Sequence, residues 1–166
     1  MKRKIFNNMV YIAVVAVLIT TTLLGMFTYY RYMEQVKSGI KDEAAYLAAS
    51  LNVKDNQNLN KYKNITVSRI TRVDQNGKVI YDSSGKEKSM GNHKNRTEIK
   101  EAYEKGQGED TRMSNTLRKQ TYYYAVRLKD GTILRMSRET QTIIKQMEDI
   151  IPIIMLMPVS YTHLRA

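Results

Sequence analysis

The side chains best placed to do chemistry are few. His93 and Arg96 stand three residues apart in Asn92-His93-Lys94-Asn95-Arg96-Thr97. An imidazole and a guanidinium at that spacing can both donate to one anion. With Arg112 and Tyr124 further along the chain, they give a candidate ligand-binding set of His93, Arg96, Arg112 and Tyr124. The plainer reading is a turn whose side chains bond backbone carbonyls and fix a loop, and the residues alone leave both open. In Tyr122-Tyr123-Tyr124 successive side chains of a strand face opposite ways, so Tyr122 and Tyr124 share a face and Tyr123 takes the other. Core packing with hydroxyls at the rim is the default for such tyrosines.

No catalytic set accompanies these groups. The chain has no cysteine, which excludes disulfides, thiolate metal sites and thiol nucleophiles. Its two histidines, His93 and His163, are too far apart in sequence to suggest a metal pair. A Walker-type phosphate loop, Gly-x-Ser-x-Gly and His-Glu-x-x-His are all missing. The expectation is therefore no catalytic residue, no metal and no cofactor in this stretch. Asn64-Ile65-Thr66 and Asn95-Arg96-Thr97 match a glycosylation sequon that short sequences often meet by chance.

The elements that must position the candidate set begin with a membrane segment. The chain has 166 residues, room for one domain. All 16 acidic residues lie between Glu34 and Asp149, while residues 5–30 carry no charge. Residues 9–27 approach the roughly 20 apolar residues needed to cross a bilayer as a helix. The threonines at 20 to 22 are tolerable there because each hydroxyl can bond a carbonyl one turn back. Lys2, Arg3 and Lys4 precede the run and only Arg31 follows closely, so the basic bias places the N-terminus in the cytoplasm and the following domain outside. A cleaved signal peptide shares the basic start but has a shorter apolar core and a small-residue cleavage site, and 25–31 reads Gly-Met-Phe-Thr-Tyr-Tyr-Arg. Tyr29, Tyr30 and Tyr32 suit an interfacial belt. The expected division is a cytoplasmic stub at 1–4, a membrane helix at 5–30, an outer domain at 31–149, the start of a second membrane helix at 150–159, and a tail at 160–166. The closing Val-Ser-Tyr-Thr-His-Leu-Arg-Ala resembles translated adapter read-through, so the native second helix is expected to have been cut off; a genuine short tail is the alternative.

Within the outer domain 23 basic residues face 16 acidic ones, scattered singly, which reads as a solvated surface and not as a nucleic-acid interface. A weak attraction for anionic wall polymers or lipid headgroups is compatible with that excess. Val36, Ile40, Ala44, Leu47 and Leu51 recur at helical spacing, a stripe for the domain's own sheet or for a second copy of the chain. Residues 52–64 have no apolar period and read as a loop. Strands are expected at 65–73 and 78–82, joined through Asp74-Gln75-Asn76-Gly77, a strong hairpin signal. A short helix at 97–103 stops at Gly106 and Gly108. Strands at 111–117, 120–128 and 132–137 follow, the last two joined through Lys129-Asp130-Gly131, and a helix at 139–150 leads out. This is an α+β order: a five-stranded antiparallel sheet with flanking helices expected on one face.

That order resembles the extracytoplasmic PAS-like (Cache) sensor module. The words Arg69-Ile70-Thr71-Arg72-Val73-Asp74-Gln75-Asn76-Gly77-Lys78-Val79-Ile80-Tyr81-Asp82-Ser83, Asn92-His93-Lys94-Asn95-Arg96-Thr97-Glu98-Ile99 with Ala102, and Arg112-Met113-Ser114 resemble the outer domain of phosphate-regulon-type (PhoR-like) sensor histidine kinases, chiefly of Gram-positive bacteria. The likeness covers about 70 residues, and Thr97 stands where such proteins commonly have proline.

The resemblance implies a homodimer in the plasma membrane, two flanking membrane helices, and a cytoplasmic kinase that uses ATP and Mg and acts on a response regulator. None of that kinase lies in this sequence. Thr162-His163-Leu164-Arg165 lacks the glutamate and proline of the phosphoacceptor box. A small anion, a wall polymer or an accessory protein is the expected signal. The alternatives are a membrane-anchored outer binding or structural protein and the input region of a chemotaxis-type receptor.

Overall fold

The apolar stripe at residues 36–51 is one face of a helix that begins at residue 2. A computed structural model describes residues 2–51, 58–114 and 119–140. Helix α1 (Lys2–Ser50) runs 49 residues, and its N-terminal part is long and apolar enough to cross a membrane. There Thr20, Thr22 and Thr28 donate their hydroxyls to Ala16, Leu18 and Leu24 carbonyls at 2.8–2.9 Å, which removes the bare polar groups a membrane would penalise. The chain divides into two units, at Glu34/Gln35 and Thr140/Gln141. The second apolar run, the tail and the exit helix at 139–150 fall beyond Thr140, outside the described residues, except that Glu139 is still strand.

In the unit Gln35–Thr140, α1 buries Val36, Ile40, Ala44, Leu47 and Leu51. After it come α2 (Asn58–Tyr62), β1 (Arg69–Val73), β2 (Val79–Asp82), a 3-10 turn (Glu87–Ser89), α3 (Thr97–Lys105), β3 (Gln107–Met113), β4 (Gln120–Arg127) and β5 (Ile133–Glu139). The sheet order is β2-β1-β5-β4-β3, with every neighbour antiparallel. The α+β fold with a five-stranded sheet is the one the sequence implied.

Several boundaries differ from the reading of the sequence. Residues 58–62 are helical where a loop was expected, because one side chain, the fully buried Leu59, anchors a turn too short to show a period. The first strand starts at Arg69 and not at 65: Ile65 and Val67 are 75% and 79% exposed, and the Ile65 and Thr66 N–H groups bond Tyr62 O. β-branched residues favour strands only where a pleated surface covers them. The third strand begins at Gln107, four residues early, because Gly108 lets it run directly under α3. A Cβ there would lie 2.6 Å from Glu101 Cβ and closer still to Glu98 O.

Both hairpins are where their turn residues put them. Asp74 N–H bonds Lys78 O and Gly77 N–H bonds Asp74 O, each at 2.9 Å, with Gly77 at φ +84°. Leu128 N–H bonds Thr132 O at 2.9 Å around Gly131.

The helices lie on both faces of the sheet, not on one. Lys37 and Lys41 of α1 sit over the Tyr122 and Tyr124 rings, and Glu43 takes Arg138 at 2.6 Å. Strand alternation puts Ile70, Leu134 and Met136 on that face too. On the opposite face Ile99 and Ala102 of α3 pack with Val73, Val79, Ala125 and Ile133. Each face is apolar enough to need covering, which one helix could not do.

Candidate functional site

The face under α3 carries a second, polar layer beside its small apolar core. β3, β4 and β5 point Arg112, Tyr123 and Arg135 into it, since Arg112 pairs with Thr121 and Arg135 with Ala125 in register. α3 supplies Glu98, one residue before Ile99 and wholly buried. Arg112 Nη1 and Nη2 donate to the two Glu98 oxygens at 2.7 and 2.8 Å, and Arg112 also pairs with Asp110. Arg135 Nη1 reaches Glu98 at 3.4 Å. Both guanidinium groups stand over the Tyr123 ring, at 4.1 and 5.2 Å from its centre.

The network continues toward the sheet edge. Arg135 Nη2 donates to Thr71 Oγ1 at 3.4 Å, Thr71 donates to Asp82 at 2.9 Å, and Arg69 grips Asp82 with Nε and Nη2. Burial alone would raise the Glu98 and Asp82 carboxyls. The arginines reverse this, and both groups lie below the usual carboxylate range.

The two arginines on Glu98 respond differently. Burial lowers the Arg135 guanidinium below its ordinary value, and one long contact to Glu98 does not undo that. Burial works against Arg112 as well, yet its paired bonds to Glu98 raise it.

His93 closes the site from the loop before α3. Its backbone N–H bonds Gly77 O at 2.7 Å, and its carbonyl takes the Arg96 N–H at 3.0 Å. The residue is 7% exposed. Burial first, then the charges of Arg135 and Arg96, lower its pKa from 6.5 to about 4, so it is neutral at pH 7. Its Nδ1 has no partner among the described residues, and neither has Arg135 Nε. Arg96, at the N-cap of α3, is half-buried and has no ion-pair partner among the described residues. Taken together, Arg96, Arg112 and Arg135 outnumber Glu98 and Asp110 by one charge, and two buried polar atoms want a partner.

Of the four candidates read from the sequence, the structure gathers His93, Arg96 and Arg112 around α3. Tyr124 is separated from them, because even-numbered residues of β4 face α1. Its hydroxyl donates to Gln107 at 2.8 Å beneath Lys41. Sequence reasoning missed Glu98, Arg135 and Tyr123. The signal for Arg135 was available: a lone charge at an inward step of Ile133-Leu134-Arg135-Met136 demands a buried partner. Glu98, at the edge of the Ile99/Ala102 stripe, is the natural one.

Comparisons place this architecture. Residues 30–133 match the family described as Single Cache-like. No curated protein matches the chain. Among solved structures, the Bacillus subtilis YkuI protein, with an EAL domain, in complex with substrate c-di-GMP and calcium, superposes with TM-score 0.48 at 15% identity. The match covers 75% of this chain and 36% of that one, so the chain spans about a third of that protein's length. The family match takes in well over half of the sequence and the whole of the sheet up to the start of β5. The chain belongs to the single Cache-like family, extracytoplasmic sensor domains of bacterial signalling receptors.

Proposed function

We propose that this chain is the signal-sensing input region of a two-component sensor histidine kinase of the phosphate-regulon (PhoR-like) type, set in the plasma membrane of a Gram-positive bacterium. The observation that supports this reading most is α1 itself. One unbroken helix carries both an apolar stretch of membrane-crossing length and the stripe that covers the sheet. A sheet that shifts on binding a signal therefore pulls on the same element that enters the membrane. The kinase that would answer, with its ATP, Mg and response regulator, belongs to sequence beyond this chain. The deciding experiment is to read the native coding sequence downstream of residue 149. A second apolar crossing, a histidine box and ATP-binding motifs are expected. A methyl-accepting coiled coil would make it a chemotaxis-type receptor, and a stop after the domain would make it an anchored binding protein.

The signal site on this reading is the arginine-rich layer under α3. His93, Arg96 and Arg112, with Arg135, would take a small anion through the one unmatched positive charge and the two unpartnered nitrogens. A wall polymer or an accessory protein would meet the same charges at the rim. The family type is named for a regulated pathway and not for a ligand, so calorimetric titration with inorganic phosphate is expected to show no saturable heat at this site.

A further inference from the structure

Where β1 and β4 begin and β5 ends, the sheet and the loop after β2 border an open cleft of about 450 Å³, at the far end of the polar network from α3 and reached by none of Glu98, Arg112 or Arg135. Small-molecule sites commonly measure roughly 300–1,000 Å³. Arg69, Ser83, Lys86, Ser137, Arg138 and Glu139 line it.

The loop is fixed before anything binds. Asp82, buried at the end of β2, accepts the Arg69 fork, the Thr71 hydroxyl, and both the N–H and the hydroxyl of Ser84. A preorganised wall of this kind spares a ligand the ordering cost.

The charges of the lining are almost all spoken for. Arg69 is matched by Asp82 at 2.9 Å, Arg138 by Glu43 at 2.6 Å, and Glu139 by Lys119 at 2.6 Å. Lys86, exposed at the rim, has no ion-pair partner among the described residues. Two hydroxyls have donor capacity left as well. The Ser137 hydroxyl, on a residue 4% exposed whose backbone is in the β5 ladder, has no hydrogen-bond partner among the described residues, and Ser83 Oγ only accepts, from Ile70 N–H at 3.1 Å. One unmatched positive charge calls for a monoanion, and two hydroxyls with an undonated O–H call for a ligand with polar groups of its own.

We propose that this cleft binds a small hydroxylated carboxylate of the hydroxy-acid or sugar-acid class, its carboxylate on Lys86 and its hydroxyls on Ser83 and Ser137. The site does not rest on the kinase reading. The test is calorimetric titration of the full chain in detergent micelles with D-gluconate, against acetate, which lacks the hydroxyls, and glycerol, which lacks the charge. Saturable gluconate binding is expected, with acetate and glycerol each about tenfold weaker or worse. Lys86→Gln, at an exposed position, should weaken gluconate about tenfold with the ligand-free melting temperature unchanged, and Ser137→Ala about fivefold. No saturable response to gluconate would overturn the proposal. So would gluconate binding that survives Lys86→Gln and is lost in Arg96→Ala, which would move the ligand to the layer under α3.

Discussion

Glu98 and Arg112 face each other as a two-pronged pair, at 2.7 and 2.8 Å, with the carboxylate wholly buried beneath α3. The pair ties α3 to the outermost strand, and Arg135 leans on the same carboxylate. Removing one partner leaves the other's charge in a place that water does not reach. Arg112→Met is therefore expected to destabilise the domain by about 3–5 kcal/mol, lowering its melting temperature by well over ~10 °C. Replacing both partners, Glu98→Leu with Arg112→Met, should cost less than the single change. Near-ultraviolet dichroism melts of the three variants would check this, and equal stability of wild type and Arg112→Met would show the pair to be idle.

Acid should loosen the domain in two stages. His93 has a folded pKa of about 4 against 6.5 unfolded, chiefly because it is buried and then because Arg135 and Arg96 are near. A depressed histidine binds fewer protons folded than unfolded, so its contribution is whole above pH 6.5 and is lost as pH falls toward 4. That loss amounts to roughly 3 kcal/mol at most. Glu98 and Asp82, also depressed, add a further loss as pH falls through and below their ordinary range. His93→Gln should flatten the stability curve between pH 6.5 and 4 and leave the steeper fall below it. An unchanged slope in that window would mean His93 is solvated.

What could be read ahead of the structure was whatever repeats or punctuates. The stripe from Val36 to Leu51 is periodic, and the Asn-Gly and Asp-Gly turns are local chemistry, so helix and hairpins were legible. Leu59 was not, because a single buried side chain has no period. Strand limits depend on what covers each residue and not on propensity: Ile65 and Val67 are left uncovered, so β1 starts only at Arg69, while Gly108 lets β3 run under α3 from Gln107. The site was half legible. His93, Arg96 and Arg112 announce themselves as charges beside a turn; strand parity separates Tyr124 from Tyr123, but which of the two faces lies under α3 is fixed only by the register of β3, β4 and β5. Glu98 and Arg135 are visible only once α3 is laid across β5.

Gly108 leaves no room for a side chain between β3 and α3. A methyl there would meet Glu98 O, Glu101 Cβ at 2.6 Å and Ala102 N at 3.0 Å, two of them backbone atoms of α3 that cannot step aside. Gly108→Ala is expected to push α3 off β3 and cost about 2–3 kcal/mol. Gly106→Ala, at φ +86° but with open space around it, should cost only about 1–2 kcal/mol. Melting curves that rank the two the other way would show that α3 has room to move.

The orientation implied by Lys2, Arg3 and Lys4 before the uncharged stretch can be read in whole cells. Lys86 is exposed and the chain has no native cysteine. Lys86→Cys should therefore react with a membrane-impermeant thiol reagent in intact cells. Labelling only after lysis would reverse the topology.

If the chain works as a pair, the face of α1 that meets its twin is not the apolar stripe. Val36, Ile40, Ala44 and Leu47 are buried against this chain's own sheet, with Ile40 and Ala44 at no exposure at all. The opposite side carries Ser38, Asp42, Ala45 and Ala49, exposed and spaced by four, three and four, as in a coiled-coil seam. Its residues are small enough for two helices to approach. Single cysteines scanned from 34 to 51 should crosslink between chains most readily at 38, 42, 45 and 49, and poorly at 36, 40, 44 and 47. Strong crosslinking at the stripe positions would require the sheet to release α1 in the membrane. Crosslinking without any period would show that the two helices do not pair along this stretch, and that a transmitter must be paired by some other part of the protein.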